Sequence, residues 1–194
     1  MTDPTLTNPL YPIFLELSTL DTLLVGGGAE AVERLTSLLA SSPDARVTVI
    51  APEIDEGVDA LLAELPGHHV VVELRPFRET DLPGRDLVIA ATGAAATDES
   101  VVAAARRHRV LAHAAGAPAR SDFRLGRVVT RGALKVGVST AGWSPALAEA
   151  FAGAVDEALP GGLASLLRRL EALALNLAKT SVPEGETSVA IAKR

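Results

Sequence analysis

The chain contains no cysteine. That excludes disulfides, thiolate nucleophiles and cysteine-held zinc or iron–sulfur centres, so any redox chemistry must come through a borrowed cofactor. No apolar run reaches the roughly 18 residues needed to cross a bilayer, and the opening "MTDPTLTNPLYPIF" lacks the basic-then-apolar order of a signal peptide. A cytoplasmic protein with no membrane partner is expected. Positive charge is in short supply: 18 Lys and Arg stand against 24 Asp and Glu, a net charge of −6, which argues against a general nucleic-acid binder. The four histidines are scattered, and the pair His68-His69 and His108 lack the spacing of a metal site, so no metal is expected. Internal repeats and low-complexity segments are absent too.

What is present is a chain of 194 residues, 48% hydrophobic, long enough to bury a sizeable core as one large domain or one domain with an appendage. The apolar runs at 22–26, 46–51, 69–74, 86–92 and 109–115 are short, rich in Val and Ile and bounded by turn residues, which predicts strands. Between most of them, residues 29–41, 55–65 and 97–108 carry apolar positions at three- and four-residue spacing, with Pro43, Pro66-Gly67 and Pro83-Gly84 as breaks. Strands apolar on both faces, alternating with helices, predict a Rossmann-like, doubly wound parallel α/β sheet over residues 1–115.

Beyond Gly116 the alternation stops. "FRLGRVVTRG" and "LKVGVST" read as two further strands joined at Arg131-Gly132, and 144–159 as a helix capped by Ser144 with Pro145 in its first position. This second region, 116–159, is too small for a core of its own and is expected to pack against a partner subunit. A further helix is expected over 163–178 and a mobile tail beyond it, so that 160–194 forms a third, helical C-terminal region.

Gly26, Gly28 and Ala31 fit G-x-G-x-x-G/A at the junction of the first strand and first helix. One glycine serves the turn, with Gly27 between; one admits a phosphate; the small residue packs helix on strand. The helix start supplies free amides and a partial positive charge for a pyrophosphate. The alternative is a glycine turn that merely packs tightly. Glu53, in "VIAPE" at the end of the second strand, stands where an acid accepts ribose hydroxyls and repels the extra phosphate of NADP, so NAD is the expected cofactor.

"YPIFLEL" at 11–17, "VGGGAEAVERL" at 25–35, "VIAPE" at 49–53, "VIAAT" at 88–92 and "VSTAGWSPALAEAF" at 138–151 together resemble the precorrin-2 dehydrogenase/sirohydrochlorin ferrochelatase family, the N-terminal module of siroheme synthase. The likeness spans about residues 10 to 160. It implies a homodimer that oxidises precorrin-2 to sirohydrochlorin with NAD and, in many members, inserts ferrous iron. By the same resemblance Ala29, Glu30, Pro52 and Glu53 align with cofactor contacts, Thr92 and Gly93 face the same crevice, and Ser139 aligns with a serine near the substrate cleft, a candidate catalytic residue whose hydroxyl could equally cap the loop before Ser144.

One departure is plain. Where the family's fifth strand ends in N-V-V-D-x-P, this chain has "HAAGAP" at 113–118, so Gly116 replaces the aspartate implicated in dehydrogenation and chelation, and His113 replaces the asparagine. His113 or Asp122 could accept the proton, or water could; equally, His113 is a satisfied strand-end residue and Asp122 a turn residue or arginine partner. Restoring aspartate at 116 is expected to raise the rate, provided the backbone there does not need a positive φ. Arg120, Arg124, Arg127, Arg131 and Lys135 face only Asp122 in the sequence, a cationic stretch suited to the carboxylates of a tetrapyrrole or simply solvated; Arg120, Arg124 and Ser144 are the candidate substrate contacts. Two other readings stand beside the dehydrogenase: a non-catalytic carrier or regulator that binds NAD or a tetrapyrrole, and an NAD-dependent oxidoreductase with another substrate.

Overall fold

In a computed structural model that describes residues 8–132, 134–159, 165, 168–170, 172 and 173, the expected apolar runs pair side by side. Strands β1 (Asp21–Val25), β2 (Arg46–Ala51), β3 (His69–Leu74), β4 (Leu87–Ala90) and β5 (Leu111–Ala114) form one parallel sheet in the order β3-β2-β1-β4-β5. Successive side chains on a strand point to opposite faces, so the apolar run of β1 feeds two cores. Leu24 meets Leu35 and Leu39 of α1 (Ala29–Ser41) and Val58 of α2 (Glu56–Glu64), while Leu23 and Val25 meet Val101 and Val102 of α3 (Ala95–Arg107). Coverage on both faces is why the strands are apolar throughout rather than alternating. The architecture is the expected Rossmann-like α/β fold.

The connection from β3 to β4 departs from the βαβ pattern. Instead of a helix it carries a single 3₁₀ turn, Glu79–Asp81, followed by the fully buried Leu82. Asp81 accepts both terminal guanidinium nitrogens of Arg75 at 2.8 Å and the Arg78 amide at 2.8 Å. The Arg75 guanidinium holds the Asp81 carboxyl below the usual carboxylate range. β3 is the edge strand: Val70 and Val72 pack toward α2 on one face, and with no helix after β3 to cover the other, Val71 and Leu74 are exposed.

Element ends differ by a few residues from expectation, for local reasons. α3 starts at Ala95 rather than 97. β4 begins after Asp86, whose carboxylate accepts the Asp21 amide at 2.9 Å, and β5 begins after Arg109, where the chain turns at φ +60°.

After β5 the chain forms an antiparallel hairpin, β6 (Arg127–Arg131) and β7 (Leu134–Val138), turning at Gly132 with φ +59°. Helix α4 (Pro145–Ala158) follows, with Pro145 in its first turn and the Ser144 hydroxyl accepting the Leu147 amide at 3.2 Å. Arg127 and Arg131 of β6 reach Glu149 and Asp156 of α4, and Val129, Ala148 and Ala152 are buried between these elements. The tail over 180–194 and most of the expected helix over 163–178 lie outside the described residues. Among the described residues no helix is long and apolar enough to cross a membrane.

Candidate functional site

The chain leaves β1 toward one half of the sheet and β4 toward the other, so the loops after these two strands diverge and leave a crevice at the carboxyl ends. A cavity of about 520 Å³ lies there, lined by Gly26, Gly27 and Gly28, by Pro52 and Glu53 after β2, by Pro76 and Phe77 after β3, and by Thr92 and Thr97.

The three glycines have different reasons. A Cβ on Gly26, whose φ is +128°, would lie 2.0 Å from the Ala91 carbonyl oxygen, and one on Gly27 would lie 2.1 Å from the Glu53 carbonyl oxygen. Both are demanded by the packing of the loop on its neighbours. A Cβ on Gly28 would meet nothing within 4 Å. The protein itself does not need that room.

Gly28 is also the N-cap of α1, and no side chain caps the helix. The first amides of a helix have no intrahelical partner and carry its positive end, so here bare donors face open space, which is what an approaching pyrophosphate needs. Ala29 and Glu30 open that first turn. The loop after β2 is held to the glycine turn by the Asp55 amide, which donates to the Gly27 carbonyl at 2.7 Å, and Pro52 and Glu53 are exposed at the mouth. These residues fit a dinucleotide. Pro76 and Phe77 were not expected at the site; a proline and an aromatic directly after the third strand were the available signal.

The other half of the crevice is organised by a residue that sequence reasoning passed over. Asp98, in the first turn of α3, is fully buried. Its Oδ1 accepts the Thr92 hydroxyl at 2.7 Å and the Thr92 amide at 3.0 Å, and its Oδ2 accepts the Gly116 amide at 3.0 Å. Thr92 and its neighbour Gly93, with φ +77°, form the turn after β4. Gly116 has no positive φ, so the backbone proviso attached to an aspartate there is met. Space is the obstacle: a Cβ at 116 would lie 3.1 Å from Asp98 Oδ2 and 3.2 Å from the Ala95 Cα. A carboxylate added at 116 would start close to one already present, which weighs against the expectation that Gly116→Asp raises the rate.

The candidate catalytic residues are occupied elsewhere. His113 is only 4% exposed; its Nδ1 donates to the Phe123 carbonyl at 3.1 Å and its ring packs on Phe123. In this position it offers a ligand almost no surface, which is the geometry of a satisfied strand residue. Burial pushes its pKa below the usual histidine value, with Arg34 and Arg124 adding to the effect against the Phe123 carbonyl and Asp98. A histidine neutral in the folded state and normal in the unfolded one binds more protons when unfolded, so it stabilises at pH above its unfolded value near 6.5 and destabilises as the pH falls below it. Urea denaturation at pH 7.5 and 5.5 should therefore show a smaller acid loss for His113→Gln than for the wild type; equal losses would refute this.

Asp122 accepts Arg106 at 2.8 and 3.0 Å on one oxygen and the Ala112 amide at 3.1 Å on the other, clamping the loop to β5 and α3. The Ser139 hydroxyl accepts the Ala141 amide at 3.2 Å, and Ser144 is used as the α4 cap. The cationic stretch is partly neutralised, because carboxylates arrive from elsewhere in the chain: Arg127 and Arg131 are paired by α4. Arg120 is 3.9 Å from Glu99, Lys135 donates to the Ser41 carbonyl, and Arg124 donates to the Ser121 and Phe123 carbonyls. Among the described residues Arg124 has no carboxylate partner within 4.0 Å.

Sheet order, glycine turn, uncapped helix and the acid after β2 define a dinucleotide-binding domain. The chain belongs to the family described as "Putative NAD(P)-binding", which matches residues 13–127. It is 36% identical over 158 residues to a siroheme synthase of Methylococcus capsulatus and 32% identical over 163 residues to one of Gluconacetobacter diazotrophicus. These alignments cover 81% and 84% of this chain but 32% and 34% of the relatives, so the chain spans about a third of their length. Among solved structures, "SirC, precorrin-2 dehydrogenase" superposes with a TM-score of 0.61 at 21% identity, covering 90% of this chain and 84% of that one, which establishes the shared fold.

Proposed function

We propose that the chain oxidises precorrin-2 to sirohydrochlorin with NAD as the hydride acceptor, a step toward siroheme. The observation that carries the cofactor half is the bare, uncapped α1 N-terminus opening on the space at Gly28. The substrate half is supported by the motifs shared with the siroheme synthases and by the alignment over four fifths of the chain. Bound NAD supplies an acceptor for the substrate's hydride. The amides of Ala29 and Glu30 hold the pyrophosphate, Glu53 accepts ribose hydroxyls, and Pro76 and Phe77 wall the adenine. Thr92, Gly93 and Gly116 form the floor of the nicotinamide half. Arg124, with Arg120 beside it, is the candidate cation for substrate carboxylates. The proton released with the hydride goes to water, since His113 and Asp122 are engaged inside the fold.

Ferrous iron is the weaker substrate on this reading. Position 116 bears no side chain and the Asp98 carboxylate is buried beneath Thr92, so the floor presents no carboxylate to take protons from the macrocycle. Incubating the protein with precorrin-2 and NAD should produce the sirohydrochlorin spectrum with stoichiometric NADH. Binding of NAD and sirohydrochlorin with no turnover would favour the carrier or regulator reading, whereas turnover of some other substrate alone would leave only the oxidoreductase class.

A homodimer completes the proposal. Trp143, Leu147 and Phe151, on and before α4, and Leu125 and Val128, around β6, are exposed on a unit with little core of its own. Leu147 and Phe151 lie one turn apart on α4 and share a face, and an exposed apolar face of this kind marks an interface. Light scattering at micromolar concentration should give twice the chain mass, and Phe151→Glu should shift it toward the monomer. A monomeric wild type would sink the proposal.

A further inference from the structure

We infer that Asp98 is the positioning residue of the nicotinamide half of the crevice, a fastener that holds the turn after β4 and the turn after β5 as one floor. The inference rests on the dinucleotide reading above. Among the described residues Asp98 is the only carboxylate that is fully buried. Burying a charge is costly unless donors surround it, and here they come from two separate strand ends: the hydroxyl and amide of Thr92 and the amide of Gly116. Its position in the first turn of α3 adds the favourable end of the helix dipole. None of these bonds is local to α3. The carboxylate joins β4 to β5 at the level where their loops meet the crevice, and it fixes the Thr92 hydroxyl with its proton turned inward; the oxygen accepts the Ala94 amide at 3.3 Å and keeps its second lone pair for a ligand.

This fastener divides the site. Gly26 to Gly28, Glu53, Pro76 and Phe77 line the crevice on the β1 to β3 side without contacting Asp98, whereas Thr92 and Gly116 depend on it. Removing Asp98 should loosen the second half and leave the first intact. The contact with Gly116 also implies that only one carboxylate fits. A side chain at 116 would start 3.1 Å from Asp98 Oδ2 and bring a like charge against it, unless residue 98 had become an amide able to donate to it.

The test is titration calorimetry with NAD and with ADP, which carries the adenosine and pyrophosphate but no nicotinamide, alongside thermal melts. Asp98→Ala should weaken NAD about tenfold or more, the scale of charged hydrogen bonds, while ADP stays within about twofold. Asp98→Asn keeps the shape and the Thr92 contacts and sets an amide against the Gly116 amide; it should lie between wild type and alanine. Gly116→Asp alone should weaken NAD, and Asp98→Asn with Gly116→Asp should bind NAD better than Gly116→Asp, which would show that the two side chains meet, while the split between NAD and ADP is what a merely structural role does not produce. Equal loss of NAD and ADP, no loss of either, or no recovery in the double variant overturns the inference. A wild type that binds neither ligand instead overturns the dinucleotide reading on which it stands.

Discussion

Gly28→Ala is expected to fold with wild-type stability and to bind NAD at least about tenfold more weakly, whereas Gly26→Ala and Gly27→Ala are expected to lose several kcal/mol of stability, about 3 or more. The contrast follows from what each added methyl would touch. At 26 and 27 it would press into the carbonyl oxygens of Ala91 and Glu53 at 2.0 and 2.1 Å, and Gly26 adds a φ of +128° that an L-residue rarely adopts. Backbone cannot step aside as a flexible side chain can. At 28 the methyl meets nothing within 4 Å, so the folded protein gives no reason for a glycine there. The proposed reason is the ligand, whose phosphates would approach the uncapped first turn of α1. Thermal melts and calorimetry on the three variants separate the two effects. A Gly28→Ala protein that binds NAD as tightly as wild type would remove the phosphate from this turn.

The second large effect concerns Glu53. Its carboxylate stands exposed at the mouth of the crevice after β2, on a loop held to the glycine turn through Gly27 and Asp55. A 2′-phosphate brought there would face it at hydrogen-bonding range, where even partly screened like charges cost about 1–4 kcal/mol. Wild-type protein should therefore prefer NAD to NADP by about tenfold or more, and Glu53→Ala should lose most of that preference by weakening NAD and admitting NADP. Equal affinity for both nucleotides in the wild type would move the ribose contact away from Glu53.

The parallel sheet was legible because both of its causes are local. Short runs of Val, Leu and Ile bounded by turn residues read as strands, covered on both faces in β1 and β4 though not in β3, and the breaks at Pro43, Pro66-Gly67 and Pro83-Gly84 fall between elements. The glycine turn and Ser144 were legible for the same reason: cap and turn chemistry is written within a few residues. What escaped was everything that depends on distant partners. The cationic run from Arg120 to Lys135 reads as a free patch only until Glu149 and Asp156 arrive from α4. His113 occupies a strand-end position suggestive of chemistry, yet its burial is decided by Phe123 ten residues on. Asp98 reads as an ordinary residue of an amphipathic helix, and only the packing of α3 behind β4 and β5 makes it the buried tie.

The short link between β3 and β4 bears on how the protein moves. β3 pairs with a single neighbour, has no helix over its outer face and exposes Val71 and Leu74, so it belongs to the part of the sheet that opens most readily in hydrogen exchange. Yet Pro76 and Phe77, the residues proposed to wall the adenine, hang directly from its end. A nucleotide lodged there draws on the folded state of β3 and returns stability to it by mass action. The cofactor would in this sense anchor the end of the third strand, and slowed exchange of the β3 amide protons would report cofactor occupancy.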